Sequence, residues 1–348
     1  MSREPLVSIL ISAYNAERWL AQTLESAVGQ TWPRKEIILV NDGSRDRTLE
    51  IAERFASQGV MVISTENRGL SAGINCAYRN SHGDYIQFLD ADDVLARDKI
   101  EQQLAALRSG DSQRLLLSSP WAYFYHRVRA GQWFRNSLWG DLSPIEWLLR
   151  KMTDGSHMQN ATWLVSRELT EAAGPWREDL HYDQDGEYFA RVLLASIGTR
   201  FVSETGIYYR ANGSSRISRI GNSDRKKNSL FLSMKLHIQY IRSLEDSERV
   251  RDACVRYMQL WYDNFYPSRP DIVAQVRNLA RELNGSMEQP QLRKKYAWMA
   301  PIVGWETAHR VQVDLPEFKD SLIRGWDKLM YRLETLNATR SAGAAQRT

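Results

Sequence analysis

The sequence predicts an α/β fold with a mostly parallel central sheet, followed by an all-helical C-terminal region. Through the first 90 residues, short apolar runs rich in β-branched residues alternate with segments that carry apolar residues at helical spacing. Strands and helices that alternate at this pace form βαβ units and therefore a parallel sheet. Beyond Gly221 only the helical spacing remains. We therefore predict a first domain at residues 1–220, a helical region at 221–336 and a disordered tail at 337–348.

Four strands are predicted before residue 90, and each is an apolar run that suits a strand buried on both faces. They are Leu6–Ser12, Glu36–Val40, Val60–Ser64 and Tyr85–Leu89. The helices between them are Glu17–Gln30, Asp46–Phe55 and Leu70–Asn80. Ser44 is a candidate N-cap for the second of these helices.

From Asp98 onward the pattern is mixed. Helices are predicted at Lys99–Arg108, Pro144–Lys151, Arg167–Ala173 and Gln184–Ser196. Ser143 is a good cap for the second of them, with Pro144 at its first position. Strands are predicted at Arg114–Ser119, Trp121–Val128 and Phe201–Tyr209, and Ala161–Val165 is a further apolar stretch.

The composition excludes several classes of protein. The chain has 348 residues, of which 43% are apolar and 25% charged, so it can bury a large core. The net charge of +4 comes from interspersed acids and bases, which does not suit nucleic acid. The two cysteines form no metal motif and no disulfide framework, and no apolar run is long enough to span a membrane. We therefore expect a cytoplasmic protein.

Three carboxylates cluster where the fourth strand ends, at Asp90, Asp92 and Asp93. Like charges this close together are stable only in water or around a cation. Ligands of open α/β sheets bind at the C-terminal ends of the strands, so these acids lie where a ligand is expected. Oxygen ligands suit Mg²⁺ or Mn²⁺, which in turn suits a phosphate. A solvated turn is the alternative interpretation.

The loops after the first two strands are expected at the same edge of the sheet. Tyr14 offers a flat face for stacking, and Asp42 offers acceptors for a base N–H. The chain has no G-x-G-x-x-G after its first strand and no P-loop. A nucleotide would therefore be held by side chains, with a metal on its phosphates, rather than as in a dinucleotide-binding fold.

These segments resemble the inverting family 2 glycosyltransferases, which have the GT-A fold. The matching segments keep the family's order and spacing over roughly residues 5–215, and they are Val7–Asn15, Ile38–Asp46, Glu66–Asn75 and Phe88–Asp93. One departure is Ser12, where the family often has proline.

The resemblance implies a role for each matching residue. Tyr14 and Asp42 would hold the nucleobase, Ala13 would also bind the nucleotide sugar, and Arg68 would lie near the nucleotide. Asp90 would lie on the sugar or ribose side. Asp92 would bind the metal, Mn²⁺ or Mg²⁺, that bridges to the diphosphate.

The resemblance also implies a catalytic base. An inverting transferase needs a carboxylate that takes the proton of the acceptor hydroxyl. The segment Gln184–Arg191 is similar to the family's motif for this base, with Gln184 in place of Glu, and it makes Asp185 the base. A helix cap is the alternative role, and Asp183 is the second candidate for the base.

Other candidates are weaker. Tyr209-Arg210 and Ser214-Ser215-Arg216 resemble the family's late loop over the diphosphate, which would make Arg210 a nucleotide-sugar-binding residue, but a surface turn fits equally well. Trp163 could stack on an acceptor sugar, and His181 flanks the expected acceptor cleft. Core packing and structural hydrogen bonding are the alternatives for these two residues.

The resemblance thus implies metal-dependent transfer from a nucleoside diphosphate sugar, in first place a UDP-sugar, to a hydroxyl of a glycan or glycolipid, as in polysaccharide biosynthesis. A sugar nucleotidyltransferase is one alternative, although it would carry a glycine-rich loop with Arg or Lys after the first strand. A non-catalytic module that binds a glycan or a partner is another, and intact acids at Asp42, Asp90, Asp92 and Asp185 argue against it.

Basic residues precede an apolar, aromatic-bounded run in Lys294–Trp305. This composition suits peripheral contact with the inner face of a membrane. It also suits a buried loop or a homodimer contact, and we favour those two interpretations.

Overall fold

The computed structural model describes residues 4–108, 110–211, 220–221, 223–292, 294–305, 307–308, 311–312 and 322–334. The chain folds into two compact units. The first unit comprises Met1–Ala122, Trp133–Tyr209 and Ile217–Met287. The second comprises Tyr123–Gln132, Arg210–Arg216 and Glu288–Thr348.

The strands in the described part of the chain are β1 (Val7–Ala13), β2 (Lys35–Asp42), β3 (Val60–Thr65), β4 (Tyr85–Asp90), β5 (Val94–Leu95), β6 (Leu115–Ser118), β7 (Trp121–Phe124), β8 (Gln132–Trp133), β9 (Val165–Ser166), β10 (Gly198–Phe201) and β11 (Ile207–Arg210).

The α-helices whose bounds are defined are α1 (Leu20–Val28), α2 (Thr48–Glu53), α3 (Leu70–Arg79), α4 (Lys99–Ala105), α5 (Pro144–Asp154), α6 (Arg167–Ala173), α7 (Gln184–Ala195), α8 (Asp224–Leu244), α9 (Glu248–Trp261), α10 (Pro270–Glu282), α11 (Lys294–Ala297) and α12 (Ala300–Val303). Residues 322–334 are also helical.

The central sheet of the first unit has the strand order β3-β2-β1-β4-β9. Its first four strands are parallel, and β9 adds an antiparallel edge. Every residue of β1 is buried, as expected for a middle strand covered by helices on both faces. The predicted α/β fold with a mostly parallel sheet is therefore confirmed.

Helix α3 packs unusually close to β1. A Cβ atom at Gly73 would lie 2.1 Å from the Ser12 Oγ atom, so only glycine leaves room for this approach. Ser12 therefore fits a small gap between the strand and the helix.

Three predicted extended segments differ in the structure. The predicted strand Phe201–Tyr209 is two strands, β10 and β11, separated by a turn. Strand β10 pairs with β6, whereas β11 pairs with β5. The predicted strand Trp121–Val128 ends at Phe124. The apolar stretch Ala161–Val165 is a 3₁₀ turn, Asn160–Thr162, followed by β9.

The cap predictions had mixed outcomes. The Ser143 hydroxyl accepts the backbone N–H of Glu146 at the start of α5, with Pro144 in the first turn, as predicted. The Ser44 prediction was wrong, because α2 begins at Thr48 and the Ser44 hydroxyl accepts the N–H of Asn15 instead.

The helical region after residue 220 does not start a new unit. Helices α8, α9 and α10 belong to the first unit, where α8 buries Leu230, Met234 and Ile238. The predicted boundary at residue 220 therefore falls inside that unit. The predicted tail at 337–348 and the Ser214-Ser215-Arg216 segment lie outside the described residues.

The second unit is held together by a buried carboxylate. Asp327 accepts the backbone N–H of His126 at 2.8 Å and the Arg127 Nε–H at 2.7 Å. Arg127 also pairs with Glu334 at 2.9 Å, so two acids of the helix at 322–334 share one arginine. Within the residues described, no helix is both long and apolar enough to cross a bilayer.

Candidate active site

The register of three parallel strands brings their C-terminal ends to one edge of the sheet. Ala13 lies opposite Asn41, and Ser12 lies opposite Asp90. Tyr14 and Asp42, the residues that follow, therefore lie at the same edge of the sheet as Asp90. This is the edge at which ligands of open α/β sheets bind.

The loops after β1 and β2 are joined by hydrogen bonds. The Asn15 N–H donates to Ser44 Oγ at 3.1 Å, and the Arg45 N–H donates to Asn15 Oδ1 at 2.8 Å. The Ala16 N–H donates to Thr48 Oγ1 at 2.7 Å. These contacts fix the backbone directly after Tyr14, whose side chain is 49% exposed and available to a ligand.

Asp42 organises a third loop. Its side chain is almost fully buried, and its two carboxylate oxygens accept the backbone N–H groups of Arg68 and Gly69, each at 2.8 Å. The Asn67 side chain donates to the Asp42 carbonyl oxygen at 2.9 Å. Each carboxylate oxygen can accept a second hydrogen bond, so contact with a base stays compatible with this geometry.

Arg68 links this loop to the segment before α7. Its guanidinium donates to Glu178 Oε2 at 2.9 Å on the surface of the protein. Asn75, on α3, reaches the same segment, since its side chain donates to the Trp176 carbonyl at 2.8 Å and accepts the Trp176 N–H at 2.9 Å. The sequence motif contained Asn75, but only the structure reveals this bridging role.

Asp90 is held by two amide side chains. Asn160 Nδ2 donates to its Oδ1 at 3.1 Å, and Gln159 Nε2 lies 3.3 Å from its Oδ2. Burial and the neighbouring charge of Asp92 raise the pKa of the Asp90 carboxyl to about 6, an effect that the two amide hydrogen bonds only partly oppose. Nothing in the sequence pattern pointed to Asn160 or Gln159.

The residues around Asp90 fit a divalent cation. Two carboxylates that repel each other are characteristic of a site that a cation would stabilise, and Mg²⁺ is commonly held by one or two carboxylates together with substrate phosphates. Beside them the buried Oδ1 atom of Asn160 has no hydrogen-bond partner. Within the described ranges, no group of three or more His, Cys, Asp or Glu side chains could hold a metal unaided. A cation here would therefore depend on ligands from the substrate.

Asp185 lies in the first turn of α7 and is only partly exposed. Burial, Asp183 and Asp90 raise the pKa of its carboxyl to about 6, whereas the positive charge of Lys151 lowers it. The charges of Asp185 and Asp90 therefore interact across the cleft. No side-chain cap is formed at the start of α7, so neither Asp183 nor Asp185 acts as a conventional N-cap.

Two other charged residues of the α7 motif, Glu187 and Arg191, are structural. Glu187 is fully buried and forms a bidentate ion pair with Arg191, at 2.8 and 2.9 Å. Arg191 also donates to the carbonyl oxygens of Ala173 and Pro175. The arginine thus joins α7 to the turn that precedes it.

The two acceptor candidates differ in exposure. Trp163 is 1% exposed, with its ring stacked on Phe189 at 5.2 Å and against Trp147 at 5.8 Å. It leaves no face for a sugar, so the alternative of core packing describes it. His181 is half-buried, and its backbone N–H donates to Ser229 Oγ at 2.8 Å.

Arg210 belongs to the second unit, where it is 1% exposed. Its guanidinium lies 4.2 Å from the centre of the Phe124 ring and donates to the Tyr125 carbonyl oxygen at 3.0 Å. Within its own unit Arg210 therefore supports the backbone.

Comparison with known proteins identifies relatives of this chain. Residues 8–142 match the family model described as Glycosyl transferase family 2. EpsH of Bacillus subtilis, named as a glycosyltransferase, is 31% identical over 222 residues, which are 62% of this chain and 63% of EpsH. Chondroitin synthase of Escherichia coli is 41% identical over 110 residues, 31% of this chain and 16% of that protein. The chain thus spans less than two thirds of these relatives.

Solved structures provide the comparison at the level of the fold. TarS 1–349 of S. aureus, in complex with UDP-GlcNAc, aligns over 80% of each chain with a TM-score of 0.65 and 17% identity. The mannosyltransferase PcManGT of Pyrobaculum calidifontis, in complex with GDP-Man and Mn²⁺, aligns over 94% of this chain and 89% of that chain, with a TM-score of 0.56 and 17% identity. At this identity the likeness is one of fold alone.

Proposed function

We propose, on the premise that residues 8–142 are a family 2 glycosyltransferase domain within a GT-A fold, that this protein transfers a sugar from a nucleoside diphosphate donor to an acceptor hydroxyl with inversion. The observation that carries the proposal is the pairing of Asp185 with the Asp90–Asp92 edge. Asp185 lies on a different element from these acids, yet its charge interacts with that of Asp90. This arrangement suits Asp185 as the base that faces the acceptor, with Asp90 and Asp92 at the site of the donor diphosphate.

The donor would occupy the edge formed by β1, β2 and β4. Tyr14, next to Ala13, offers an exposed ring for stacking on the base, and Asp42 and Arg68 belong to the loop beside it. We favour a UDP-sugar as the donor, in keeping with the UDP-GlcNAc bound by TarS. The GDP-Man bound by PcManGT makes a guanosine donor the case to test against it.

Asp92 would hold Mn²⁺ or Mg²⁺, with Asp90 beside it on the sugar side. When bound, such an ion neutralises charge on the leaving diphosphate. The carboxylates of Asp90 and Asp92 would supply only part of the coordination of the ion, and oxygen atoms of the donor phosphates would supply further ligands.

Asp185 would act as the general base. Its carboxylate takes the proton of the acceptor hydroxyl while the hydroxyl oxygen bonds to the anomeric carbon. The bond between that carbon and the diphosphate breaks, and its electron pair leaves with the diphosphate. A base with a pKa near 6 combines a large ionised fraction at neutral pH with useful basicity.

The acceptor would be a hydroxyl of a glycan or glycolipid. His181, half-buried near the start of α7, is the remaining candidate for contact with it. The proposal is compatible with a protein that acts at the cytoplasmic face of a membrane, and with one that forms a homodimer.

A donor screen tests the proposal. The protein is mixed with UDP, GDP, CDP or ADP and Mn²⁺, and its melting temperature is measured. We expect the largest rise with UDP, because a ligand that binds only the native state stabilises it and, in this proposal, Tyr14 and Asp42 recognise the base. Equal shifts with all four nucleotides would contradict base recognition.

A second arm follows the release of nucleotide from UDP-glucose, UDP-galactose, UDP-GlcNAc and GDP-mannose. Release from one of these that disappears in Asp185→Asn is the expected result. Formation of pyrophosphate from UTP and glucose 1-phosphate would instead favour a nucleotidyltransferase. Neither binding nor release with any donor would favour a non-catalytic module.

A further inference from the structure

The first turn of α7 has an uncommon backbone conformation. Asp183, the residue before the helix, has φ of 58°, in the left-handed region that residues other than glycine rarely adopt. Its side chain makes no hydrogen bond to the helix it precedes. The conformation is therefore stabilised by contacts with other elements. Asp185, the base in the proposed function, is the second residue of this helix.

Two side chains one turn apart on α8 make these contacts. The Ser233 hydroxyl donates to Asp183 Oδ2. His237 Nε2 lies 2.9 Å from the Gly186 carbonyl oxygen, and its Nδ1 lies 3.7 Å from Asp183 Oδ2. Both side chains are fully buried. These contacts thus hold the backbone at Asp183, two residues before Asp185, and at Gly186, one residue after it.

Glycine at position 186 is needed for this arrangement. A Cβ atom there would lie 2.0 Å from Asp183 Oδ1, inside any permitted contact. The Asp183 carboxylate therefore folds over the first turn of α7 only because residue 186 has no side chain. The close approach also explains how the negative charge of Asp183 comes to raise the pKa of the Asp185 carboxyl.

The hydrogen atoms of the network can be assigned by exclusion. A carbonyl oxygen only accepts, so His237 Nε2 carries a hydrogen and donates to Gly186. The single hydroxyl hydrogen of Ser233 goes to the Asp183 carboxylate, so it cannot also go to His237 Nδ1. Nδ1 instead accepts from the hydroxyl of Tyr257 on α9, at 3.2 Å. Burial lowers the pKa of His237, which favours this neutral ring, although Asp183 opposes the effect.

Packing alone does not require these residue types. A buried imidazole or hydroxyl costs free energy unless it is hydrogen-bonded, and an apolar side chain of similar size would fill the same volume without that cost. Here both nitrogen atoms of the His237 ring have a partner, and one of these partners is the carbonyl oxygen of Gly186, the residue directly after Asp185. The network therefore acts on the geometry of α7 rather than on core volume.

We infer that His237, supported by Ser233 and Tyr257, is a positioning residue that sets the direction of the Asp185 carboxylate toward the acceptor. The inference rests on the proposed function, in which Asp185 is the base. A displacement of about 1 Å at a reacting group can cost on the order of 100-fold in rate, so loss of the His237 contact should reduce turnover rather than donor binding.

The test compares His237→Leu, His237→Gln and Ile238→Ala. Turnover is measured as nucleotide release from the preferred sugar nucleotide in the donor screen, and UDP affinity is measured by calorimetry with Mn²⁺. We expect His237→Leu to lower turnover about 10- to 100-fold with UDP affinity within twofold of the parent. The amide of His237→Gln can still donate to Gly186, so turnover should be largely restored.

Ile238→Ala is the matched control, because Ile238 is the buried neighbour of His237 on α8 and lies outside the network. It should lower the melting temperature and leave turnover intact. Hydrogen exchange of the peptide at 183–190 provides a readout that does not depend on activity, and it should rise in His237→Leu but not in Ile238→Ala.

The outcomes separate the two proposals. If Asp185→Asn abolishes turnover while His237→Leu leaves turnover and exchange unchanged, the positioning role is wrong and the base assignment stands. If Asp185→Asn retains turnover, the base assignment fails first. If His237→Leu does not fold, Tyr257→Phe is tested in its place. That variant removes only the hydroxyl group that donates to His237 Nδ1. Unchanged turnover in that variant would overturn the inference.

Discussion

Asp185 lies among other acids, and its ionisation is therefore costly. Asp183 and Asp90, together with burial, raise the pKa of its carboxyl to about 6, and Lys151 offsets this only in part. A raised pKa means that the folded state binds the proton more tightly than the unfolded chain does. The stability contributed by the protonated group is therefore lost as the pH rises through about 6. At neutral pH the ionised Asp185 carboxylate therefore lowers the stability of the folded state.

Replacing Asp185 with Asn should separate activity from stability. Sugar transfer should fall roughly 100- to 10,000-fold, because the proton acceptor is gone. At pH 8 the variant should be more stable than the parent by about 1 kcal/mol, and at pH 4 the difference should vanish. Thermal melts at both pH values, alongside a rate measurement, check this. A variant with parental turnover would remove Asp185 from the mechanism.

Asp183→Asn is the matched control. Asn tolerates the left-handed backbone and can still accept from Ser233, so turnover at pH 8 should change little. Because one negative charge near Asp185 is removed, the acidic limb of the kcat/KM profile should move to lower pH. An inactive Asp183→Asn beside an active Asp185→Asn would move the base two residues upstream.

Asp92→Asn should test the divalent cation. The variant loses a charged ligand and should transfer sugar orders of magnitude more slowly. The part of UDP binding that depends on Mn²⁺ should disappear, while the melting temperature without ligand is retained. Calorimetry with and without Mn²⁺ makes this measurement. Full activity of the parent protein in excess EDTA would rule out metal dependence.

At the scale of secondary-structure elements, α3 and β1 are in close contact. The helix carries Asn75 and follows directly on the Arg68 loop, so its distance from the strand sets the position of that loop. The gap depends on Gly73 facing Ser12. A side chain at position 73 would push helix and strand apart.

Gly73→Ala should therefore destabilise the protein by about 1 to 3 kcal/mol, as overpacking does in well-packed cores. The higher helix propensity of alanine would recover only part of this loss. Gly140→Ala is the control, because a Cβ atom there meets nothing within 4 Å, and it should change stability by less than about 0.5 kcal/mol. Urea unfolding of both variants gives the comparison, and equal stabilities would show that the gap can adjust.

Local patterns in the sequence predicted most of the sheet and the acids at its edge. Apolar runs identify β1 to β4 because each signal lies within a few residues. The partners of Asp90 could not be found this way, since Gln159 and Asn160 lie about 70 residues further along the chain. The same holds for the pairing of Asp42 with the loop at Arg68 and Gly69. Trp163 illustrates a different limit, because an aromatic residue suits a core and a sugar equally well.

At the scale of the whole molecule, the second unit presents large apolar side chains to solvent. Trp298 is 65% and Ile302 is 73% exposed, so the burial expected for this run holds for Tyr296 but not for these two. In the helix at 322–334, Leu322, Trp326 and Leu329 follow helical spacing and are all about half or more exposed. Large exposed apolar patches usually mark an interaction surface.

We expect these exposed side chains to bind anionic membranes, since tryptophan beside lysine suits the headgroup region. The protein should sediment with liposomes of phosphatidylglycerol, and Trp298→Ser with Trp326→Ser should weaken this binding without lowering the melting temperature. Trp163→Phe, a change in the core, should do the reverse. If the double variant keeps its liposome binding but shifts from dimer to monomer on gel filtration, the surface is a homodimer contact.

The place of His237 and Tyr257 in the chain has a consequence for biosynthesis. Ribosomes add residues in order, at roughly 5–20 per second, so about 70 residues must follow Asp185 before Tyr257 exists, a delay of roughly 4–14 s. During that interval the segments of the sheet and of α7 have been synthesised, but the network of His237 and Tyr257 that contacts α7 is incomplete. A chain interrupted at residue 220 would keep the whole family 2 region, 8–142, and still lack these side chains. On the proposed positioning role, such a chain would carry Asp185 without the contacts of His237 and Tyr257, and it should transfer sugar more slowly than the 348-residue chain.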